Sequence, residues 1–348
     1  MTDVVIIGAG MAGLVCAQQL TQAGYDVLVV EKSRGFGGRV ATRRLHDTCA
    51  DHGASYLKPK GKLMTQFVEL LVQRNVLQVW NGNFMEKTQN IVSSMQPRYV
   101  SPTGMSSIAK FLANGLNVIL EQRVTEVNLD VSNQWRLTLE SHQSISAEAL
   151  VTAIPAPQAL TLLEPLEGNI LNSAFINKLR SVEFFPSISV MAGYPPTSKP
   201  LPQWKAMTFD DNILGWVGFD STKRLNPSQP VFVVQSSADF ATANLETQDL
   251  QPVGKQMLHA AANSIGFDWL AHPDWLQVHR WRYAFPSTPL QETFLTAETS
   301  QPLICCGDWC GGNLIPGAID SGRFAASAVN SQLRPNTTLE DWNFLAKL

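Results

Sequence analysis

Apolar residues along the chain fall into two alternating rhythms. A short continuous apolar run over 4–7, ending at Gly8, predicts a fully buried strand. From 12 to 23 the apolar residues recur at helical spacing and Gly24 supplies a stop, so this segment predicts a helix. A second buried run over 27–30 closes on Glu31. Strand, helix and parallel strand within about thirty residues is the size of a βαβ unit. Helical spacing returns over 61–75 (Leu63, Phe67, Leu70, Leu71) and 104–114, with a polar, short-stranded stretch over 76–96 between them. Three β-rich runs follow at 118–120, 124–129 and 135–139, the last alternating apolar and polar as a strand with one wet face does. An apolar strand over 149–154 is stopped by Pro155 and Pro157.

From about 160 to 277 the character changes. Prolines cluster (Pro195, Pro196, Pro200, Pro202), Trp and Phe become frequent, strands are expected at 188–192, 213–219 and 231–236, and a helix at 250–265. The last segment restores the opening rhythm with a strand at 303–306, a loop, and a helix over 316–333. The pattern predicts an α/β chain. A Rossmann-like nucleotide-binding domain, its parallel sheet carrying an added antiparallel β-meander, is expected over 1–60, 98–160 and 273–348. A mixed-sheet α+β substrate domain is expected over 61–97 and 161–272.

Length supports two domains, since 348 residues is about twice the usual single-domain size. A net charge of −3, with no basic block longer than Arg43-Arg44, argues against a nucleic-acid surface, which needs clustered Lys and Arg. No apolar run is long enough to span a bilayer. The apolar start over 4–20 has no positive leading region, carries Asp3 and is interrupted by spaced glycines, so it is expected to be folded structure of a cytoplasmic protein. The cysteines Cys16, Cys49, Cys305, Cys306 and Cys310 form no CxxC pair and no Cys/His set, so no metal site is expected and buried packing is their reading.

The chemistry begins at Gly8-Ala9-Gly10-Met11-Ala12-Gly13, a GxGxxG between a strand and a helix. Gly8 permits a tight turn, Gly10 lets a pyrophosphate approach the backbone, and Gly13 lets helix and strand pack closely. The N–H groups and partial positive charge of the helix start, at Met11 and Ala12, suit phosphate oxygens. Glu31, at the end of the next strand and followed by Lys32, is placed to accept from ribose hydroxyls. This fingerprint alone does not separate NAD from FAD. The following Arg34-Gly35-Phe36-Gly37-Gly38-Arg39 adds a second glycine pair and an arginine, extending the surface toward a longer cofactor.

The fingerprint, the acid and Gly37-Gly38-Arg39 together resemble the flavin-containing amine oxidase superfamily. Asp51-His52-Gly53-Ala54-Ser55-Tyr56 resembles its next motif, which implies Gly53 and Ala54 beneath the flavin ring. Arg123-Val124-Thr125-Glu126-Val127 resembles the segment whose valine, here Val124, meets the adenine. Cys306-Gly307-Asp308 with Pro316-Gly317-Ala318-Ile319-Asp320-Ser321-Gly322 resembles the closing strand–loop–helix. The resemblance implies that Asp308 bonds the ribityl–pyrophosphate chain and that Gly317 and Ala318 point a helix start at flavin N1 and C2=O. Negative charge near N1 of reduced flavin favours such a helix start, and Pro316 suits its first turn. Non-covalent FAD is the implied cofactor.

Within that superfamily the chain is similar to renalase and its bacterial relatives, through 51–56, Arg98-Tyr99-Val100, Gly104-Met105-Ser106 and His279-Arg280-Trp281-Arg282-Tyr283-Ala284. That likeness implies oxidation of 2- or 6-dihydronicotinamide isomers to NAD(P)+, with O2 reduced to H2O2. No second GxGxxG follows Gly13, which disfavours a separate NADPH domain. A dihydronicotinamide donor needs little acid–base help, because its ring nitrogen expels the hydride as the ring becomes aromatic, and positioning is the protein's main task. No catalytic base stands out: His52 and His279 read as structural. Tyr56, Trp281, Tyr283 and Trp309, in or beside the flavin motifs, are pocket candidates, with core packing as the alternative. Arg282 is either a phosphate partner or half of an ion pair. Two other functions stay open. One is oxidation of a small amine, weakened by the lack of a tyrosine in Gly311-Gly312-Asn313-Leu314-Ile315-Pro316; the other is a non-catalytic flavin-bound redox sensor.

Overall fold

The computed structural model describes residues 2–86, 97–196, 200–312, 314–339, 345 and 347–348. It divides into two compact units, Met1–Gly38 with Ala109–Phe184 and Phe285–Leu348, and Arg39–Ile108 with Phe185–Ala284.

In the first unit, β1 (Thr2–Ile7), α1 (Met11–Gln22) and β2 (Val27–Val30) form the expected βαβ unit. The strands pair parallel from Val4↔Val27 to Ile7↔Val30, and both apolar runs are buried along the paired stretch. The full sheet runs Leu295–Thr296, Leu303–Cys305, Ser144–Thr152, β1, β2, Asn117–Ile119. Ser144–Thr152 is longer than the apolar run that announces it, because its first half does different work. That half pairs antiparallel with Trp135–Leu139, which pairs with Val124–Leu129, while Leu150, Val151 and Thr152 pair parallel with Leu303–Cys305. One long strand thus joins a parallel sheet to a meander, the fold class expected from the pattern.

Residues 161–184 were expected with the substrate domain. They fold instead as helices Ala156–Leu163 and Ser173–Arg180, with Pro155 at the N-cap position of the first and Asn172 Oδ1 accepting from Phe175 N–H at the second. Leu163, Phe175, Ile176 and Leu179 enter the core with Val5, Trp135 and Leu150 of the first unit. Pro155 therefore opens a helix of the same unit. Each helix is only eight residues long, too short for its apolar face to stand out as a period.

The second unit carries a mixed six-stranded sheet in the order Trp275–Pro286, Phe184–Gly193, Val231–Ser236, Leu214–Phe219, Trp204–Thr208, Asn83–Glu86. Helix Gln251–Ile265 covers it, burying Met257, Leu258 and Ala261 with Val190, Val217 and Phe232. Helix Gly61–Gln73 and the hairpin Thr42–Leu45/Thr48–Asp51 belong to this unit as well. The first boundary accordingly falls after Gly38, ahead of residue 60, because Asp51 at the hairpin's end is ion-paired to residues 223 and 224. Residues 87–96 of the expected polar stretch lie outside the described residues. No helix among the described residues is long and apolar enough to cross a membrane.

Candidate functional site

The first unit gathers its site residues along one sheet edge. β1, β2 and Leu303–Cys305 run parallel, so the glycine loop after β1, Glu31 after β2 and Asp308 after the third strand all emerge at the carboxyl edge of the sheet. The chain turns at Gly8 with φ +106°, and a Cβ on Gly13 would lie 2.0 Å from Gly8 O, so the first turn of α1 rests directly on the loop. A Cβ on Gly10 would meet nothing within 4 Å: the cradle above it is open. α1 has neither a side-chain N-cap nor an acid in its first turn, which leaves Met11 and Ala12 at a helix start with its positive end uncompensated.

Glu31 is buried, and both its carboxylate oxygens accept backbone N–H groups. Ala9 donates to Oε2 at 2.8 Å and Ser33 to Oε1 at 2.8 Å. Each oxygen keeps a second lone pair for a ribose hydroxyl. Lys32 is exposed and donates to Gln158 Oε1. Gly37, at φ +108°, donates its N–H to Ala9 O and bridges to Gly10, and Gly38 lies beside Gly10, so the second glycine pair is seated on the fingerprint loop itself. Val124 is buried at the start of its strand.

Asp308 is buried in the loop after Leu303–Cys305, and Gly307 N–H donates to Ser321 Oγ at 3.0 Å, tying that loop to helix Leu314–Leu333. Gly317 is in the first turn of this helix, where a Cβ would lie 2.6 Å from the Gly312 carbonyl carbon; Ala318 follows half-buried, and Asn313 lies outside the described residues. Trp309 is a different matter. It is fully enclosed in the core, with its indole N–H donating to Ile154 O at 3.1 Å.

In the second unit Arg39, Gly53 and Ala54 meet at one backbone contact. Ala54 N–H donates to Arg39 O at 2.8 Å, a Cβ on Gly53 would lie 2.0 Å from that oxygen, and Arg39 Nη1 donates to Ala284 O. Asp51 sits in a buried cluster that the sequence did not reveal. Its carboxylate contacts Lys223 Nζ at 3.2 Å and Arg224 Nη2 at 2.9 Å, Asp220 contacts the same two cations, and Met105 N–H and Thr42 Oγ1 donate to Asp51 Oδ1. Burial alone would raise the Asp51 pKa, but Lys223 and Arg224 outweigh it and hold the carboxyl at about 2. The only local sign was the i, i+3, i+4 spacing of Asp220, Lys223 and Arg224.

His52, His279 and Trp281 form one aromatic cluster. His52 stacks on Trp281 at 5.3 Å between centroids, His279 meets both rings edge-on, and Trp281 Nε1 donates to His52 O. Burial, with His279 and Arg43 nearby, lowers His52 to about 3, and burial and Arg43 lower His279 to about 4. Both imidazoles are neutral at pH 7 and too weakly basic to take a proton there. Tyr283 is half-buried two residues beyond Trp281 on the same strand, while Arg282 is exposed and paired with Glu246 at 2.6 Å. Tyr56 lies in a separate group with Trp80, Lys58 and Arg98.

Residues 6–71 match the NAD(P)-binding Rossmann-like domain, and residues 78–330 match the flavin containing amine oxidoreductase family. The chain belongs to the flavin-containing amine oxidoreductase family. FAD is its cofactor. The first unit suits a dinucleotide on its own geometry, through the open space at Gly10, the uncapped start of α1 and the spare lone pairs of Glu31. Burial keeps the thiols at the same sheet edge protonated, with Cys305 pushed up to about 12 and Cys306 well above its usual value.

Among curated relatives, the chain is 39% identical over 90 residues to the provisionally named flavin-containing monoamine oxidase AofH of Mycobacterium tuberculosis, covering 23% of this chain and 20% of that protein. It is 44% identical over 66 residues to an L-amino-acid oxidase of Crotalus adamanteus, covering 19% and 13%. These alignments thus span a fifth or less of the relatives' length. A solved putrescine oxidase with putrescine bound superposes with a TM-score of 0.71 at 14% identity, covering 95% of this chain and 99% of the other, which speaks to the fold alone.

Proposed function

We propose that this family member is a renalase-type oxidase that converts 2- or 6-dihydronicotinamide isomers of NAD(P)H to NAD(P)+ and passes the electrons to O2. The observation that carries this reading is the lack of a base fit for neutral pH among the described second-unit motif residues. His52 and His279 are held at about 3 and 4, and Asp51 is locked against Lys223 and Arg224. Such a site suits a donor that gives up hydride without prior loss of a proton. A flavin held by the first-unit loop would supply the two-electron acceptor for that hydride and the route to O2. In balance, the isomer, O2 and one proton give NAD(P)+ and H2O2.

The first-unit residues Gly8, Gly10, Met11, Ala12, Gly13, Glu31, Lys32, Gly37, Gly38, Val124, Asp308, Gly317 and Ala318 are the proposed FAD contacts of that unit. Arg39, Gly53 and Ala54, joined at one backbone contact in the second unit, are proposed contacts by motif. In the second unit Tyr56, Trp281 and Tyr283 are the proposed substrate-side aromatics. Trp309 is assigned to packing.

A second reading, oxidation of a small amine, draws on the names of the curated relatives. Anaerobic stopped-flow mixing separates the two. The visible flavin band should bleach fast with a 2- or 6-dihydronicotinamide isomer and slowly with ordinary 4-dihydro NADH. Rapid bleaching by a monoamine, with none by the isomers, would overturn the proposal.

A further inference from the structure

The second unit also contains a shallow, solvent-open cleft, lined in part by Tyr56, Lys58, Phe84, Arg98, Thr208 and Trp216. Two of these residues are cations held over aromatic rings. The Arg98 guanidinium lies 3.6 Å from the centre of the Phe84 ring and 5.4 Å from that of Tyr56, and Lys58 Nζ lies 5.8 Å from the Tyr56 ring. Among the described residues neither has a carboxylate partner, and Arg98 Nε is buried without a hydrogen bond.

Stacking fixes the plane of a guanidinium while leaving its edge N–H groups for a planar or tetrahedral anion, so Arg98 is prepared for bidentate contact with phosphate. Lys58 adds a point charge to the same cleft. The acid in the lining, Glu86, is exposed. A carboxylate there opposes a bare anion but accepts from sugar hydroxyls, and the half-buried Tyr56 gives the lining an aromatic surface for a base. Two cations, one acid and an aromatic surface fit a nucleotide better than an inorganic ion.

We propose that this cleft binds the adenosine-phosphate end of the dinucleotide reductant. The ligand's identity as a reductant rests on the dihydronicotinamide reading; the cleft's affinity for a nucleotide does not. The probes are ADP-ribose, 5′-AMP and inorganic phosphate, titrated into holoenzyme by calorimetry, where none of them can be oxidised. ADP-ribose should bind, and Arg98→Leu should weaken it by roughly 10–100-fold, the value of a hydrogen bond to a charged group. Arg98→Lys should recover part of that, since it restores charge but not the fork. In turnover, the preference for a dinucleotide isomer over its mononucleotide, measured as the ratio of kcat/KM values, should fall by about the same factor.

Equal ADP-ribose affinity in wild type and Arg98→Leu, with both variants retaining the wild-type melting temperature, overturns the proposal. So does inorganic phosphate binding as tightly as ADP-ribose. If ADP-ribose binds through Arg98 but no isomer bleaches the flavin, the cleft stands and the substrate reading falls. If the isomers bleach the flavin while ADP-ribose does not bind, the cleft falls and the substrate reading stands.

Discussion

Glu31 shows how one residue serves two purposes in the first unit. Its carboxylate accepts from Ala9 and Ser33, so the side chain expected to hold a ribose also pins the loop expected to hold the phosphates. Gly37 reinforces that loop from the other side by donating to Ala9 O. The loop is therefore organised before any ligand arrives, which reduces the ordering cost of binding. Gly10 remains the open position. Gly10→Val adds a side chain where the protein itself has no atom within 4 Å, so the fold should survive and FAD should not. We expect the purified variant to keep its far-UV circular dichroism and lose the yellow flavin band. A variant that stays yellow would contradict the cradle.

At the scale of elements, the hairpin Thr42–Leu45/Thr48–Asp51 is joined to the 3-10 turn Asp220–Lys223 by two acids and two bases. Asp51, Asp220 and Lys223 are fully buried and Arg224 nearly so, and their charges sum to zero. A buried network of this kind adds little over an apolar core, but breaking one member leaves a charge without a partner, at a cost of about 3–5 kcal/mol. Asp51→Asn removes one negative charge from the middle of the set. Urea denaturation should show that much destabilisation, and a change below about 1 kcal/mol would mean that the cluster relaxes or hydrates on losing its acid.

The chain as a whole should be acid-sensitive. His52 and His279 titrate near 6.5 when unfolded but at about 3 and about 4 in the fold. Below about pH 6.5 the unfolded chain takes up protons that the native state refuses, so stability is full above that pH and falls as pH drops toward the folded values. Asp51 acts in the same direction at lower pH: its contribution is present above its unfolded pKa, about 3.9, and is lost as pH falls toward 2. The unfolding free energy from urea titration should decline from pH 7 to pH 5, by at most about 1.4 kcal/mol per pH unit for each histidine, and the midpoint with it. Replacing both histidines with glutamine should flatten that decline, and a wild-type midpoint flat from pH 7 to pH 5 would remove the histidines from this account.

Local pattern alone determined the βαβ start, the uninterrupted strands at 27–30, 124–129, 135–139 and 231–236, and the closing strand–loop–helix, while the motif resemblance implied FAD. These features are readable because burial on both faces, alternation and turn chemistry are written into neighbouring residues. Tertiary structure decided the partners. Nothing near Asp51 announces Lys223, 172 positions away, nor does anything near Trp309 announce that Ile154 O and the surrounding core enclose it. The helices over 156–180 read as the start of a new domain until their short apolar faces found the first sheet, and Arg98 became an anion candidate only once Phe84 and Tyr56 held it in a cleft. Periodicity reports that a face is buried; which distant surface buries it is settled by packing and charge pairing across the folded chain.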